Sequence, residues 1–306
     1  MIREFSTTGP GRDPFPACLG ALLLFLGIAA WSAHCPAAQG SVVCSAALHV
    51  HKEWKQLVCR LDADGFEPEE IARIFSDPAI SFDFRVMPRK LTHNENNLYY
   101  DRFLKKDRIA RAKAFLKKHN ELLKKVEQTY GVPKEVIVSI LLVETDLGRY
   151  LGAGPAVRIL ASMAISDSPE MVNRYLPPEL RGKKKTLARM KKKAGWAYDE
   201  LKELIHYSMN NGLDILKIKG SIFGAIGICQ FMPSNANKLG VDFDGDGRVD
   251  LFSLPDAVAS TANYLTHHGW KDSTDSKEQY RVILRYNYSR PYAQTILKVA
   301  DTLKTT

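Results

Sequence analysis

The chain is poor in the residues that most cofactor chemistries need. Its 306 residues include five cysteines, at positions 18, 35, 44, 59 and 229, and no two stand at a metal-ligand spacing. Zinc-finger spacing and RNA-recognition signatures are both missing, so nucleic acid is not an expected partner despite a net charge of +9. There is no internal repeat and no low-complexity tract. Long apolar runs are also scarce. Only residues 15–33 reach membrane scale, with Arg3 and Arg12 before them and small residues after. This run reads as a secretory signal or a membrane anchor of borderline length, although Glu4 and Asp13 dilute the basic start. The expectation is an exported, periplasmic protein, either cleaved near Ala37 or Ala38 or attached to a membrane through this segment. In an oxidising compartment Cys44 and Cys59 can pair, whereas Cys229 is expected to be a small core residue.

What remains is an ordinary globular composition, 45% hydrophobic and 25% charged, long enough to bury a sizeable core. The patterning is helical almost throughout. Trp54, Leu57 and Leu61 share a helical face, as do Ile71, Ile74 and Phe75. Residues 101–129 read as one long basic helix. The alternation Ile80-Phe82-Phe84-Val86 suggests extended structure crossing a cleft. Pro177-Pro178 and Asn210-Asn211-Gly212 mark helix boundaries, and the last helices fall near 254–268, 276–287 and 290–303. The lysine runs Lys183–Lys185 and Lys191–Lys193 read as solvated helix faces. The fold class is therefore mainly α, with at most a small β element near an acidic loop. The expected organisation is a signal or anchor over 1–38, an N-terminal helical region over 39–125 and a catalytic region over 126–306.

Glu144 interrupts an apolar run that begins at Val136. Pro133 suits the first turn of that helix and Gly148 its end. Ile137, Ile140 and Leu141 lie seven, four and three residues before Glu144 and share its face. A carboxylate there is costly unless paired or protonated, and a raised pKa is what a general acid needs near neutral pH. Downstream, Gly220-Ser221, Gly224-Ala225 and Gly227 are small enough for close backbone approach, and Gln230 is an amide in an otherwise apolar strip ending at Pro233.

The stretch from 242 to 250 carries Asp242, Asp244 and Asp246 at spacing two, then Gly247, as at the start of an EF-hand loop. With the Arg248 carbonyl these oxygens suit Ca²⁺, because clustered carboxylates repel without a cation. Position 12 is Ser253 instead of the usual Glu, and Asp256 can supply the missing carboxylate. A structural role is expected for the ion. A calcium sensor is excluded because sensors pair their EF-hands and only one loop is present.

Taken in order, Tyr130-Gly-Val-Pro133, Glu144-Thr145 with Gly148, Gly220-Ser221, Gly224-Ala225 with Gly227, Gln230-Phe-Met-Pro-Ser234, the acidic loop, and Tyr286-Asn287 with Ser289 and Tyr292 resemble the lytic murein transglycosylase B family. A weaker match extends upstream through Tyr100-Asp-Arg-Phe103. The resemblance implies a lysozyme-like fold and cleavage of the β-1,4 MurNAc–GlcNAc bond of peptidoglycan glycan strands, whose carboxylates would suit a basic protein. It implies one carboxylate, Glu144, acting first as acid and then as base, with Ser221, Gln230, Tyr286, Asn287 and Tyr292 around the substrate. Under this reading Ser221 and Gln230 orient the substrate N-acetyl group or Glu144, and Tyr286 bonds Glu144. The family's basic pair after the catalytic helix is replaced here by Ser166-Asp-Ser-Pro-Glu170, with Arg174 or Arg181 as substitutes. The rivals are a hydrolytic muramidase and a catalytically silent glycan-binding protein.

Overall fold

The helix that carries Glu144, Lys134–Thr145, is apolar on nearly every side, with Val136 to Leu142 all buried. A helix of that kind must be surrounded, and the rest of the chain is arranged to surround it. The computed structural model describes residues 44, 47, 50–95 and 99–305. Thirteen α-helices lie among them. The first four are α1 (Lys55–Ala63), α2 (Pro68–Ser76), α3 (Val86–Thr92) and α4 (Lys106–Lys118). Then come α5 (Asn120–Tyr130), the central α6 (Lys134–Thr145), α7 (Ala156–Ala164), the single turn α8 (Pro169–Val172) and the long α9 (Lys184–Asn210). The chain ends with α10 (Pro233–Leu239), α11 (Leu254–His267), α12 (Ser276–Tyr286) and α13 (Arg290–Lys304). The fold is mainly α.

Helix α6 packs against α13, α4, α5 and α11, and α9 packs against α7 and α10. The expected 101–129 helix is broken at His119, where φ is −110° and ψ is 23°. The break lets α4 bury Ile109 and Ala112 toward α6 while α5 swings Leu123 and Val126 onto its own partners, including α11. The expected extended stretch at 80–86 is a coil leading into α3. Its alternation arises from separate aromatic contacts: Phe82 meets Trp54 edge-on at 6.2 Å, and Phe84 stacks on Tyr175 at 3.8 Å.

The β structure lies in the glycine-rich segment instead of beside the acidic loop. Strand β1 (Gly154–Pro155) pairs antiparallel with β2 (Lys219–Gly220), and bridges join Gly220 to Ile226 and Ile226 to Phe231. Gly227 has φ of +75°, and a Cβ there would collide with Leu251. That is why the segment needs glycine where it meets the end of the acidic loop. A disulfide joins Cys44 to Cys59, with Cα atoms 5.4 Å apart. No described helix is long and apolar enough to cross a membrane, and residues 15–33 lie outside the described set.

Candidate active site

Glu144 occupies the last turn of α6, and the residues on either side of it are anchored. Thr145 donates its hydroxyl to the Ile228 carbonyl at 2.9 Å, tying the helix end to the Gln230 segment. Asp146 takes a left-handed conformation, φ 51°, and so does Leu147, φ 63°. Non-glycine residues rarely adopt this conformation. The Asp146 carboxylate is clamped by Arg108 at 2.7 Å and Arg111 at 3.3 Å, both from α4. These contacts fix the turn from outside and aim Glu144 inward.

The Glu144 carboxyl is half-buried among apolar atoms. Burial pushes its pKa up to about 7, and the nearby negative charge of Glu95 pushes the same way. Tyr292 opposes this by donating its hydroxyl to Glu144 Oε1 at 2.6 Å, which favours the carboxylate. Burial wins, so at neutral pH Glu144 is shared between acid and base forms, the condition general acid–base chemistry requires.

The sequence-predicted site residues are brought to one region with different roles. Tyr292, buried at the start of α13, makes the bond to Glu144 that the sequence reading assigned to Tyr286. Tyr286 instead donates its hydroxyl to the Cys229 carbonyl and packs on Tyr264 and Phe231. The reason is register. Tyr286 closes α12, Asn287 and Ser289 turn the chain, and the next helix presents Tyr292 two residues inside its start. Asn287 is half-buried at that turn. Ser221 Oγ accepts from the amides of Phe223 and Ala225 at 3.3 and 3.0 Å, so it shapes the glycine-rich loop and makes no bond to Glu144. Gln230 holds φ of +53° and donates Nε2 to the Gly227 carbonyl at 2.8 Å. A strained amide of this kind, held by its own loop, is characteristic of functional segments. Cys229 is buried and unpaired, its thiol pushed up to about 12 by burial, as befits a core residue.

Two residues were missed as participants. Tyr100 meets Tyr292 edge-on at 5.8 Å and donates its hydroxyl to Glu95 Oε2 at 2.8 Å. The other Glu95 oxygen faces His93 Nε2 at 2.9 Å. Tyr100 lay in the weak upstream match, which gave it no role, and Glu95 lay in what reads as a polar turn, with no periodic or motif signal. The proposed substitutes for the basic pair are committed elsewhere. Arg181 donates to the carbonyls of Leu176 and Arg174, and Arg174 lies over the Tyr175 ring at 4.6 Å.

In the acidic loop, ligand oxygens of Asp242, Asp244 and Asp256 all lie within 4.8 Å of one another, an arrangement that can hold a metal ion. Asp256 is 1% exposed and accepts from the amides of Phe243 and Asp250 at 2.9 and 2.8 Å. Asp246 is not among these three side chains and accepts from the Arg248 amide at 2.9 Å. The end of the loop reaches the site: Ile228 donates to the Leu251 carbonyl at 2.8 Å, one residue before Cys229.

Similarity to known proteins gives the family and the fold. The family described as "Transglycosylase SLT domain" matches residues 49–278. The chain is 31% identical over 172 residues to the membrane-bound lytic murein transglycosylase B of Escherichia coli (strain K12). That match covers 56% of this chain and 41% of the relative, so the chain spans about two fifths of that protein's length. The structure of the E. coli lytic transglycosylase Slt35 in complex with calcium superimposes with a TM-score of 0.67 at 22% identity, covering 83% of this chain and 93% of that one. SltB3 from Pseudomonas aeruginosa in complex with NAG-anhNAM-pentapeptide gives 0.67 at 22% identity, covering 82% and 79%. With the family match running from before α1 into α12, the chain belongs to the transglycosylase SLT domain family.

Proposed function

We propose that this chain is a peptidoglycan lytic transglycosylase that cleaves the β-1,4 MurNAc–GlcNAc bond and leaves a 1,6-anhydromuramic end, with Glu144 as its single acid and base. The observation that carries the reading is Glu144, poised near neutrality by burial and held by Tyr292. In the first step the Glu144 carboxylic acid gives its proton to the glycosidic oxygen as the bond to the muramyl C1 breaks. The resulting carboxylate then takes the proton of the muramyl C6 hydroxyl as that oxygen bonds to C1. Glu144 ends as it began and no water is consumed. Attack within one sugar benefits from high effective molarity, so no second carboxylate is needed to activate water.

Among the described residues Glu95 is the carboxylate whose charge reaches Glu144, and both of its oxygens are already engaged, by His93 and Tyr100. This favours the anhydro product over hydrolysis. The similar fold of SltB3, crystallised with NAG-anhNAM-pentapeptide, supports this reading and peptide-bearing glycan as the substrate class. Ser221, Gln230, Tyr286 and Asn287 line the substrate side, with Gln230 and Ser221 keeping the loop in shape.

The donor set of Asp242, Asp244 and Asp256 is all oxygen and anchored by a buried carboxylate, which fits Ca²⁺. Bound there, the ion would offset two of the three carboxylate charges and brace the Leu251–Ile228 contact. Export to the periplasm, with the apolar segment 15–33 as signal or attachment, is consistent with the Cys44–Cys59 disulfide. Glu144→Gln tests the reading. The amide keeps the shape but cannot donate the proton, so the purified variant should fold and lose at least about a thousandfold in sacculus-solubilising rate. Wild-type turnover would refute the assignment.

A further inference from the structure

We propose that Glu95 is a positioning residue for Glu144: through Tyr100 it fixes Tyr292, the tyrosine whose hydroxyl holds the Glu144 carboxyl. The proposal rests on the reading of Glu144 as the general acid.

The geometry is a continuous chain. Tyr292 donates to Glu144 Oε1 at 2.6 Å. The Tyr100 ring stands at 87° to Tyr292 with centroids 5.8 Å apart, so the edge of one ring packs on the face of the other. Tyr100 in turn donates to Glu95 Oε2 at 2.8 Å. Tyr100 is 7% exposed, so its hydroxyl needs this partner. The segment carrying Glu95 therefore latches onto the catalytic face from a strand-poor stretch of chain far from α6 in sequence.

Among the described residues, the charged and titratable groups facing this latch are few, and Tyr100 itself faces both Glu95 and Glu144. Around Glu95 they are His93 at 2.9 Å, the hydroxyl of Tyr100, and Lys90 on α3. Lys90 sits between the rings of Phe223 and Trp196, at 4.1 and 4.8 Å, and is pushed down to about 8 by burial, with Lys193 of α9 behind it. Around Glu144 they are Tyr292 and Tyr286, each held far above its ordinary range by burial, together with Cys229 and Glu95. Those tyrosines and the thiol are neutral at working pH. Glu95 is accordingly the group whose charge bears on the Glu144 proton there, and a like charge favours the protonated form.

The test is the pH–rate profile of the full chain on purified sacculi, with Glu95→Gln and Tyr100→Phe beside wild type and Glu144→Gln. Glu95→Gln keeps the shape of the latch and removes its charge. Its alkaline limb should therefore fall earlier than wild type by about half a pH unit. Tyr100→Phe cuts the latch and keeps the charge, so kcat should fall about fivefold with KM little changed. A Glu95→Gln limb that coincides with wild type, or a Tyr100→Phe enzyme with wild-type kcat, overturns the proposal even if melting temperatures fall. If Glu95→Gln fails to fold, the Tyr100→Phe kcat decides. The Glu144→Gln control separates the two readings. Full activity there defeats the general-acid assignment itself, whereas its loss alongside unshifted Glu95 and Tyr100 variants defeats only the role of Glu95.

Discussion

The hydroxyl of Tyr292 lies 2.6 Å from Glu144 Oε1, and among the described residues it is the one side-chain hydrogen bond to that carboxyl. The bond works against burial. In the proposed mechanism it stabilises the carboxylate that accepts the C6 hydroxyl proton, while burial and Glu95 stabilise the acid that donates to the leaving oxygen. A group that performs both steps needs the two tendencies to balance near the working pH.

Tyr292→Phe removes one side of that balance. Glu144 should then hold its proton to higher pH, moving the alkaline limb of the rate profile upward, while kcat falls by about 10- to 100-fold as the carboxylate loses a charge-assisted bond. The shift is opposite in sign to that expected for Glu95→Gln, and measuring both profiles in one buffer series checks the pair. A downward shift in Tyr292→Phe would mean that the hydroxyl favours the acid form.

Glu144 also costs stability. Its folded pKa, about 7, is above the ordinary carboxylate value, so the stability it contributes is present at low pH and is lost as pH rises toward 7. Glu144→Gln carries no charge at any pH. It should therefore be more stable than wild type at pH 8, by roughly 2 kcal/mol, and close to wild type at pH 4. Thermal unfolding at the two pH values checks this, and equal differences at both would refute it.

Calcium is expected to raise the melting temperature with little effect on the chemistry. An ion that binds only the folded state adds about 2.7 kcal/mol at 100-fold excess over its dissociation constant. The arrangement of the loop sharpens the test. Asp244→Asn should abolish the calcium-dependent rise, because Asp244 is one of the three converging carboxylates, whereas Asp246→Asn should keep most of it. Insensitivity of wild type to calcium and chelator would exclude a metal site here.

Gly227→Ala should destabilise the protein by roughly 2–3 kcal/mol, because the new Cβ meets Leu251 in a left-handed backbone. Calorimetry reads the loss. Activity should fall with it, since Gln230 is bonded to the Gly227 carbonyl.

Much of this was readable in the chain because it depends on local pattern. The apolar run with Pro133 before it marks α6, and Glu144 stands out as its one acidic interruption. Helices α11 to α13 fall within one or two residues of their predicted ends, because proline, serine and glycine punctuate them. What was not readable depends on tertiary register. Tyr286 and Tyr292 both sit in the motif, and only the turn between α12 and α13 decides which hydroxyl reaches Glu144. The acidic loop gave both Asp242 and Asp244 by spacing and Asp256 as the substitute carboxylate, and these three converge, whereas Asp246 matches the same spacing and lies outside that group. Glu95 carries no pattern, because its part comes from a long-range contact through Tyr100. The break at His119 was hidden because helix propensity continues across it.

Muropeptide mass spectrometry after digestion of purified sacculi in ¹⁸O-labelled water tests the central claim most directly. The account predicts products with 1,6-anhydromuramic ends, free of solvent oxygen and inert to borohydride. Reducing ends that carry the label would show that water attacks the anomeric carbon, and would contradict it.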